Sequence, residues 1–186
     1  MKQIIFIRHA KVQMDKSTPI TAKMLKRWET AYNNAPIYQE LPQNDVLHQA
    51  FSEVDYVVCS TLRRTIDSVE LLGITVDESN ALFNEATIPT LEGNWLKLRP
   101  TQWLVLFRIL SLFGIGRWAR TLKETKADAY QASQRLLELS TEHQTIILMG
   151  HGVMNWLIRK EMMKEGWRSN GKDAHGNWGM TTLTYG

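Results

Sequence analysis

Two histidines, each at the end of a short apolar run, are where this 186-residue sequence is equipped for chemistry. His9 follows Ile4-Ile5-Phe6-Ile7 and Arg8. His151 stands in Gly150-His151-Gly152, directly after the run Thr145 to Met149. Between them in the chain, Tyr56-Val57-Val58-Cys59 leads into Ser60, with Arg63 and Arg64 shortly behind. Arginine offers a planar fork that matches phosphate oxygens. A helix start adds backbone N–H groups and a partial positive charge. Neutral imidazole supplies a nitrogen lone pair for attack. Two histidines and at least one pair of arginines on one edge therefore describe an anion site with a candidate nucleophile. An Arg-His pair or a Gly-His-Gly turn alone says little, since the latter is also an ordinary strand-to-helix connector. The information lies in the order Arg-His, Ser-x-Leu-x-Arg, Gly-His, each behind its own buried strand.

Those clusters need elements to hold them. Gln3 to Ile7, Tyr56 to Cys59 and Thr145 to Met149 read as buried strands of the parallel-sheet kind. Thr21 is a candidate N-cap for a helix carrying Leu25, Trp28 and Tyr32, closed by Asn33-Asn34 and Pro36. Ser60 is a candidate cap for a helix with Leu62, Ile66, Val69 and Leu72, stopped by Gly73. Ala81 to Asn84 reads as a short strand and Thr87 to Arg99 as a loop. Thr101 to Phe113 reads as a helix apolar on most sides. A longer helix carries Leu122, Ala129, Ala132, Leu136 and Leu139, and another, after Gly152, carries Val153, Leu157, Ile158 and Met162. Gly166 to Gly179 reads as a glycine-rich loop, and Met180 to Tyr185 as the last strand. Strands alternating with helices predict an α/β fold, a three-layer α/β/α sandwich around a mostly parallel sheet. Ligands in such sheets bind outside the carboxyl ends of the strands, where the clusters fall.

Composition narrows the function classes. Hydrophobic residues make up 44 % of the chain, enough for a core, and the length suits one domain over 1–186. The balance of 22 basic against 19 acidic residues is too mild to argue for nucleic acid. The single cysteine, Cys59, excludes an intramolecular disulfide and a cysteine-based zinc knuckle. His48, His143 and His175 show no ligand spacing with each other or with Cys59, so no metal and no cofactor are expected. The N-terminal apolar run is too short for a secretory signal, and Trp103 to Ile115, interrupted by Arg108, is too short for a membrane span. A cytoplasmic protein is expected.

With the motifs in place, the sequence resembles the histidine phosphatase superfamily, the phosphoglycerate mutase-like enzymes. Ile7-Arg8-His9-Ala10 is similar to the family's Arg-His-Gly motif, with Ala for Gly. Ser60-Thr61-Leu62-Arg63-Arg64-Thr65 is similar to Ser-x-Leu-x-Arg-Ala/Thr, and Met149-Gly150-His151-Gly152 to the second His-Gly motif. Phe83-Asn84-Glu85-Ala86, followed by Pro89, is a looser match to the segment bearing the family's acid. The resemblance implies a phosphoglycerate mutase-like fold and a metal-independent phosphomonoesterase acting on a small phosphorylated molecule. It implies that His9 becomes phosphorylated, that Arg8, Arg64 and His151 hold the phosphoryl oxygens, and that Glu85 protonates the leaving oxygen.

Competing residues and functions follow from the same comparison. The family pattern puts the phosphate ligand at Arg64, leaving Arg63 to the surface. Glu92, in Leu91-Glu92-Gly93, resembles another form of the acid loop; Glu85 is preferred because it directly follows a predicted short strand. The segment at about 86–118 is either an active-site cap or, around Trp103 to Ile115, a packing helix. Trp95, Trp103 and Trp118 are candidate cleft residues, and Arg117, Arg120, Lys123 and Lys126 a candidate basic face. Asp15 departs from the mutases, whose members carry Asn six positions after the nucleophile; a carboxylate there repels phosphate unless turned away or paired. That departure and the chain length favour phosphatase over phosphoglycerate mutase-type phosphotransferase. Protein phosphohistidine phosphatase is the alternative, because such enzymes also begin with Arg-His-Gly/Ala motifs and are short; their imidazole leaving group needs less acid help, so the presence of Glu85 favours alcohol esters. A non-catalytic phospholigand-binding module would need no nucleophile.

Overall fold

Alternation along the first strand, β1 (Lys2–Arg8), sets the layers. Ile4 and Phe6 point to one face and Ile5 and Ile7 to the other, all buried. Apolar on both faces, such a strand belongs in mid-sheet with helices on each side. The computed structural model describes residues 1–186 except 43–44, 87, 89–93, 113–116, 171–173 and 175, and leaves out the side chains at 45–46, 48, 108, 111–112 and 117–122.

The chain runs through β2 (Ile20–Thr21), α1 (Ala22–Asn34), α2 (Asp45–Ser52), β3 (Tyr56–Cys59), α3 (Arg63–Leu71) and β4 (Glu78–Ser79). It continues with β5 (Lys97–Leu98), α4 (Pro100–Leu112), α5 (Arg117–Glu142), β6 (Thr145–Gly150), α6 (Gly152–Lys164), β7 (Arg168–Asn170) and β8 (Met180–Tyr185). A six-stranded sheet has the order β4-β3-β6-β1-β8-β7. Its first four strands are parallel; β8 runs antiparallel to β1, and β7 antiparallel to β8. On one face, Ala132 and Leu136 of α5 and Met154, Ile158 and Met162 of α6 pack on Ile4, Phe6, Ile146 and Leu148. On the other, Leu47 of α2 and Val69 of α3 pack on Ile5, Ile7, Val57 and Met149. This is the expected α/β/α sandwich with a mostly parallel sheet.

Register makes the strand ends level. Arg8 pairs with Gly150 across β1 and β6, and Cys59 with Met149 across β3 and β6. Ser60, one past Cys59, therefore comes level with Gly150, and His9 and His151 stand one residue further on, so three distant parts of the sequence meet at one edge.

Several local readings differ. Ala81 to Asn84 is no strand: Ala81–Phe83 forms one 3₁₀ turn, because the Asn80 side chain accepts the Leu82 N–H at 3.0 Å and Phe83 drops into the core. The loop Gly166 to Gly179 contains β7, exposed at all three residues and recruited by backbone pairing to β8 rather than by any apolar pattern. Thr21 occupies the N-cap position of α1 without a side-chain cap bond. Ser60 does not cap α3, whose N-cap is Leu62; its hydroxyl has another task. In the 86–118 segment, the described part pairs β5 with β2 and buries Trp103 and Phe107 against Ile20, Ala22 and Leu25. Trp95 lies exposed, and Trp118 belongs to the side chains outside the description.

Candidate active site

His9 is buried at the end of β1, and its two ring nitrogens have separate partners. Nδ1 lies 2.7 Å from the Ala10 carbonyl, which only accepts, so Nδ1 carries the proton. Nε2 therefore holds the lone pair, and it receives the Arg64 Nε–H at 3.2 Å. Burial, reinforced by the charge of Arg64 and then by Arg8 and Lys16, pushes the pKa of His9 from the usual 6.5 down to about 3, against the Ala10 hydrogen bond. His9 thus stands as a neutral imidazole with Nε2 aimed at the arginine.

His151 lies beside it, the ring centroids 5.2 Å apart and tilted by 59°. Its Nδ1 receives Arg64 Nη2–H at 3.2 Å, so its proton sits on Nε2 and is donated to Ser60 Oγ at 2.8 Å. Ser60 in turn donates its hydroxyl hydrogen bond to Thr65 Oγ1 at 2.8 Å, and Thr65 donates to the Leu62 carbonyl at 2.7 Å. This relay, rather than a helix cap, is what Ser60 does. Burial, then the charges of Arg64, His9 and Arg8, hold the His151 pKa well below the ordinary value.

Arg64 is the hub. Besides the two histidines it donates Nη1–H to Asn33 Oδ1 at 2.7 Å, and its guanidinium lies 5.0 Å from the Tyr32 ring centroid. Arg8 lies against the start of α6: a Cβ placed on Gly152 would meet the Arg8 guanidinium carbon at 3.6 Å. Its Nε is buried and makes no hydrogen bond to the protein, a donor that an anionic oxygen would satisfy. Arg63 points outward to Asp67 at 3.2 Å and to the Asn34 carbonyl at 3.0 Å.

Glu85 reaches the same place from the 3₁₀ turn. Its Oε1 accepts the Met154 N–H at 3.2 Å and its Oε2 the Val153 N–H at 3.4 Å, both from the first turn of α6. The carboxyl group is therefore fixed against the helix whose N-cap is His151. Glu92 and His175 lie outside the described residues, as does the side chain of His48. His143 stacks on Tyr56 with ring centroids 4.3 Å apart, away from the site. Asp15 is turned away: it accepts from Ser17 N–H at 2.7 Å, from Ser17 Oγ and from Thr18 Oγ1. Those bonds hold its carboxyl well below the usual carboxylate range. Among the described residues, no three His, Cys, Asp or Glu side chains group in a way that could hold a metal ion.

The supporting shell was not apparent from sequence. Asn155 accepts the His151 N–H at 3.2 Å and donates to the Ile7 carbonyl at 3.2 Å, tying together both strand ends and α6. Its Oδ1 would sit 2.2 Å from a Cβ on Gly150, which is why that position takes glycine. Ser68 Oγ accepts the Ala10 N–H at 2.9 Å, and Asn177 donates to the His9 carbonyl at 2.8 Å. A polar residue four positions after His151, on the buried face of a helix, was the available signal for Asn155.

The two buried histidines make a pH prediction. In the unfolded chain each protonates near pH 6.5; in the fold His9 resists until about 3, and His151 shifts the same way. The unfolded chain therefore binds protons first as pH falls, and stability present above pH 6.5 is lost toward pH 3. At pH 5 the loss from His9 should be about 2 kcal/mol. Urea unfolding at pH 7 and pH 5 checks this: His9→Gln should lose correspondingly less than wild type between the two, and an equal loss would contradict the burial argument.

No family model matches the sequence, and no curated protein matches it. Solved structures do. Phosphoserine phosphatase of Entamoeba histolytica, in complex with 3-phosphoglyceric acid, superposes with a TM-score of 0.60 at 14% identity, over 98% of this chain and 90% of that one. Mycobacterial glucosyl-3-phosphoglycerate phosphatase in complex with VO3 gives 0.54 at 16% identity, over 99% and 93%. The chain has the fold of the phosphoglycerate mutase-like histidine phosphatases.

Proposed function

We propose that this protein is a phosphatase that hydrolyses phosphomonoesters of small molecules through a phosphohistidine on His9, without a metal ion. The observation that carries the reading is the state of His9: neutral, its Nδ1 proton tied to the Ala10 carbonyl and its Nε2 lone pair facing the guanidinium of Arg64. A site that only binds phosphate has no need of a neutral imidazole whose Nε2 lone pair is held among cations. The fold neighbours, phosphatases of phosphoserine and of glucosyl-3-phosphoglycerate, support the same class of substrate.

In this mechanism Nε2 of His9 attacks phosphorus and the ester P–O bond breaks, its electron pair leaving with the alcohol oxygen. Glu85, as the acid, gives that oxygen its proton. Arg8 and Arg64 surround the equatorial oxygens, where phosphoryl transfer needs positioning and charge stabilisation, and His151 joins them as a donor when its Nδ1 takes up the proton of a phosphomonoester monoanion. Water then attacks phosphorus and gives its proton to the Glu85 carboxylate. The P–N bond breaks, its pair returns to Nε2, and phosphate departs. The presence of a carboxyl group, Glu85, beside the start of α6 supports alcohol esters over phosphohistidine proteins.

Phosphate release from a panel of phosphorylated metabolites and a phosphohistidine peptide, with chelator in excess, tests this. Release from at least one alcohol ester, unaffected by chelator, is expected. Loss of activity with chelator, restored by a divalent ion, would overturn metal independence; release from the phosphohistidine peptide alone would overturn the ester reading.

A further inference from the structure

Lys16 is the unexplained charge near the site. It lies in a stretch where Asp15, Ser17, Thr18 and Pro19 are all exposed, yet Lys16 itself is half-buried. Lysine is rarely withdrawn from water unless something pairs with it. The loop is built to hold it so. The Asp15 carboxylate folds onto Ser17 and Thr18, and Trp28 Nε1 donates to the Asp15 carbonyl at 3.3 Å. Trp28 also stacks on Tyr32, ring centroids 5.0 Å apart, and Lys16 Nζ sits 4.9 Å from that same Tyr32 ring. The guanidinium of Arg64 lies 5.0 Å from it as well. One aromatic ring thus carries both a lysine and the arginine that bonds both histidines.

We propose that Lys16 is a phosphoryl-binding residue, the third cation of the site, delivered by the loop after β1. The inference rests on the phosphatase reading and extends it to a residue outside the motifs. Arg8, Arg64 and Lys16 bring three positive charges together beside two neutral histidines, and a phosphomonoester dianion carries two negative charges to meet them. The charges that act on Lys16 are those of Arg8, Lys11 and Arg64, all cationic, and with burial they lower its pKa. His9 in turn feels Lys16. Such convergence of like charges is unfavourable in the free protein and is relieved when an anion enters among them.

The test is a titration of the whole protein with inorganic phosphate by calorimetry, for wild type, Lys16→Gln and Lys16→Arg, with kcat/KM for two esters. One ester has an uncharged leaving group and the other a leaving group bearing a carboxylate. Lys16→Gln should weaken phosphate binding by roughly tenfold and lower kcat/KM for both esters by a similar factor, while Lys16→Arg restores most of each. Unchanged phosphate affinity in Lys16→Gln, with thermal unfolding as in wild type, would overturn the proposal. So would a loss confined to the carboxylate-bearing ester. Phosphate binding is read without turnover, so a wild type that binds phosphate but hydrolyses nothing would refute the phosphatase reading and still leave the role of Lys16 measurable.

Discussion

His9→Ala will lose turnover of any phosphomonoester substrate by at least roughly 10⁴-fold, because it removes the atom to which phosphorus becomes bonded. The fold should survive. His9 contributes Nδ1–H to a carbonyl of the next residue and accepts one N–H from Arg64, and its backbone is held independently. The His9 N–H donates to the Gly150 carbonyl at 3.1 Å, and Asn177 holds the His9 carbonyl at 2.8 Å. Inorganic phosphate should therefore still bind the variant, through Arg8, Arg64 and His151. Steady-state turnover and phosphate titration on the same preparation check both halves. Residual turnover within tenfold of wild type would mean that water attacks the ester directly.

The second large effect belongs to Glu85, and its signature is selectivity rather than size. An alkyl phosphate leaves as an alkoxide and needs a proton in the transition state; a nitrophenyl phosphate leaves as a stabilised phenoxide and needs it far less. General acid catalysis typically contributes about 10²–10⁴-fold. Glu85→Gln should approach that loss on alkyl esters, with a smaller loss in the phosphorylation step on nitrophenyl phosphate. Single-turnover kinetics isolate that step, because the same carboxylate also activates water afterwards. Glutamine keeps one oxygen for the Met154 N–H and gives up the longer bond from the Val153 N–H, so one of the two anchors at the start of α6 remains. Glu92→Gln should change little on either substrate. Leaving-group dependence in Glu92→Gln and not in Glu85→Gln would move the acid by one loop.

Much of this was legible because the buried strands are short, apolar on both faces and followed at once by polar residues. A strand such as Ile4 to Ile7 has nowhere to go but mid-sheet, and its end must then sit at a sheet edge with the ends of its neighbours. His9, Arg64 and His151 follow from that logic together with the family resemblance, and the structure places all three in mutual contact. The reason for preferring Glu85 in the sequence, a short strand before it, does not hold. The residues before it form a 3₁₀ turn and not a strand, and what fixes the carboxylate is the helix on the far side of His151.

The illegible parts share a cause: they depend on tertiary partners with no periodicity in sequence. The edge strand β7 is exposed throughout and exists only because β8 offers free backbone groups. The pair Ile20 and Leu98, distant in the chain, forms β2 and β5 by the same kind of contact. Ser60 has the composition of a helix cap, yet its hydroxyl is claimed by His151 across the sheet edge. Asn155 reads as a polar residue in an apolar helix until the clash at Gly150 shows that space was left for it. Lys16 looks like one more surface lysine until its loop is seen to fold Asp15 outward and carry the ammonium inward to Tyr32.

In the proposed mechanism phosphorus becomes bonded to Nε2 of His9. Mixing the enzyme with labelled nitrophenyl phosphate and quenching in alkali within the first turnover tests it, since a phenoxide leaves fast enough for the intermediate to build up. The expected label survives base and is lost in acid, is carried by the peptide containing His9 and is absent from His9→Ala. Turnover at the full rate with no label on that peptide, or with label on another residue, would contradict the mechanism.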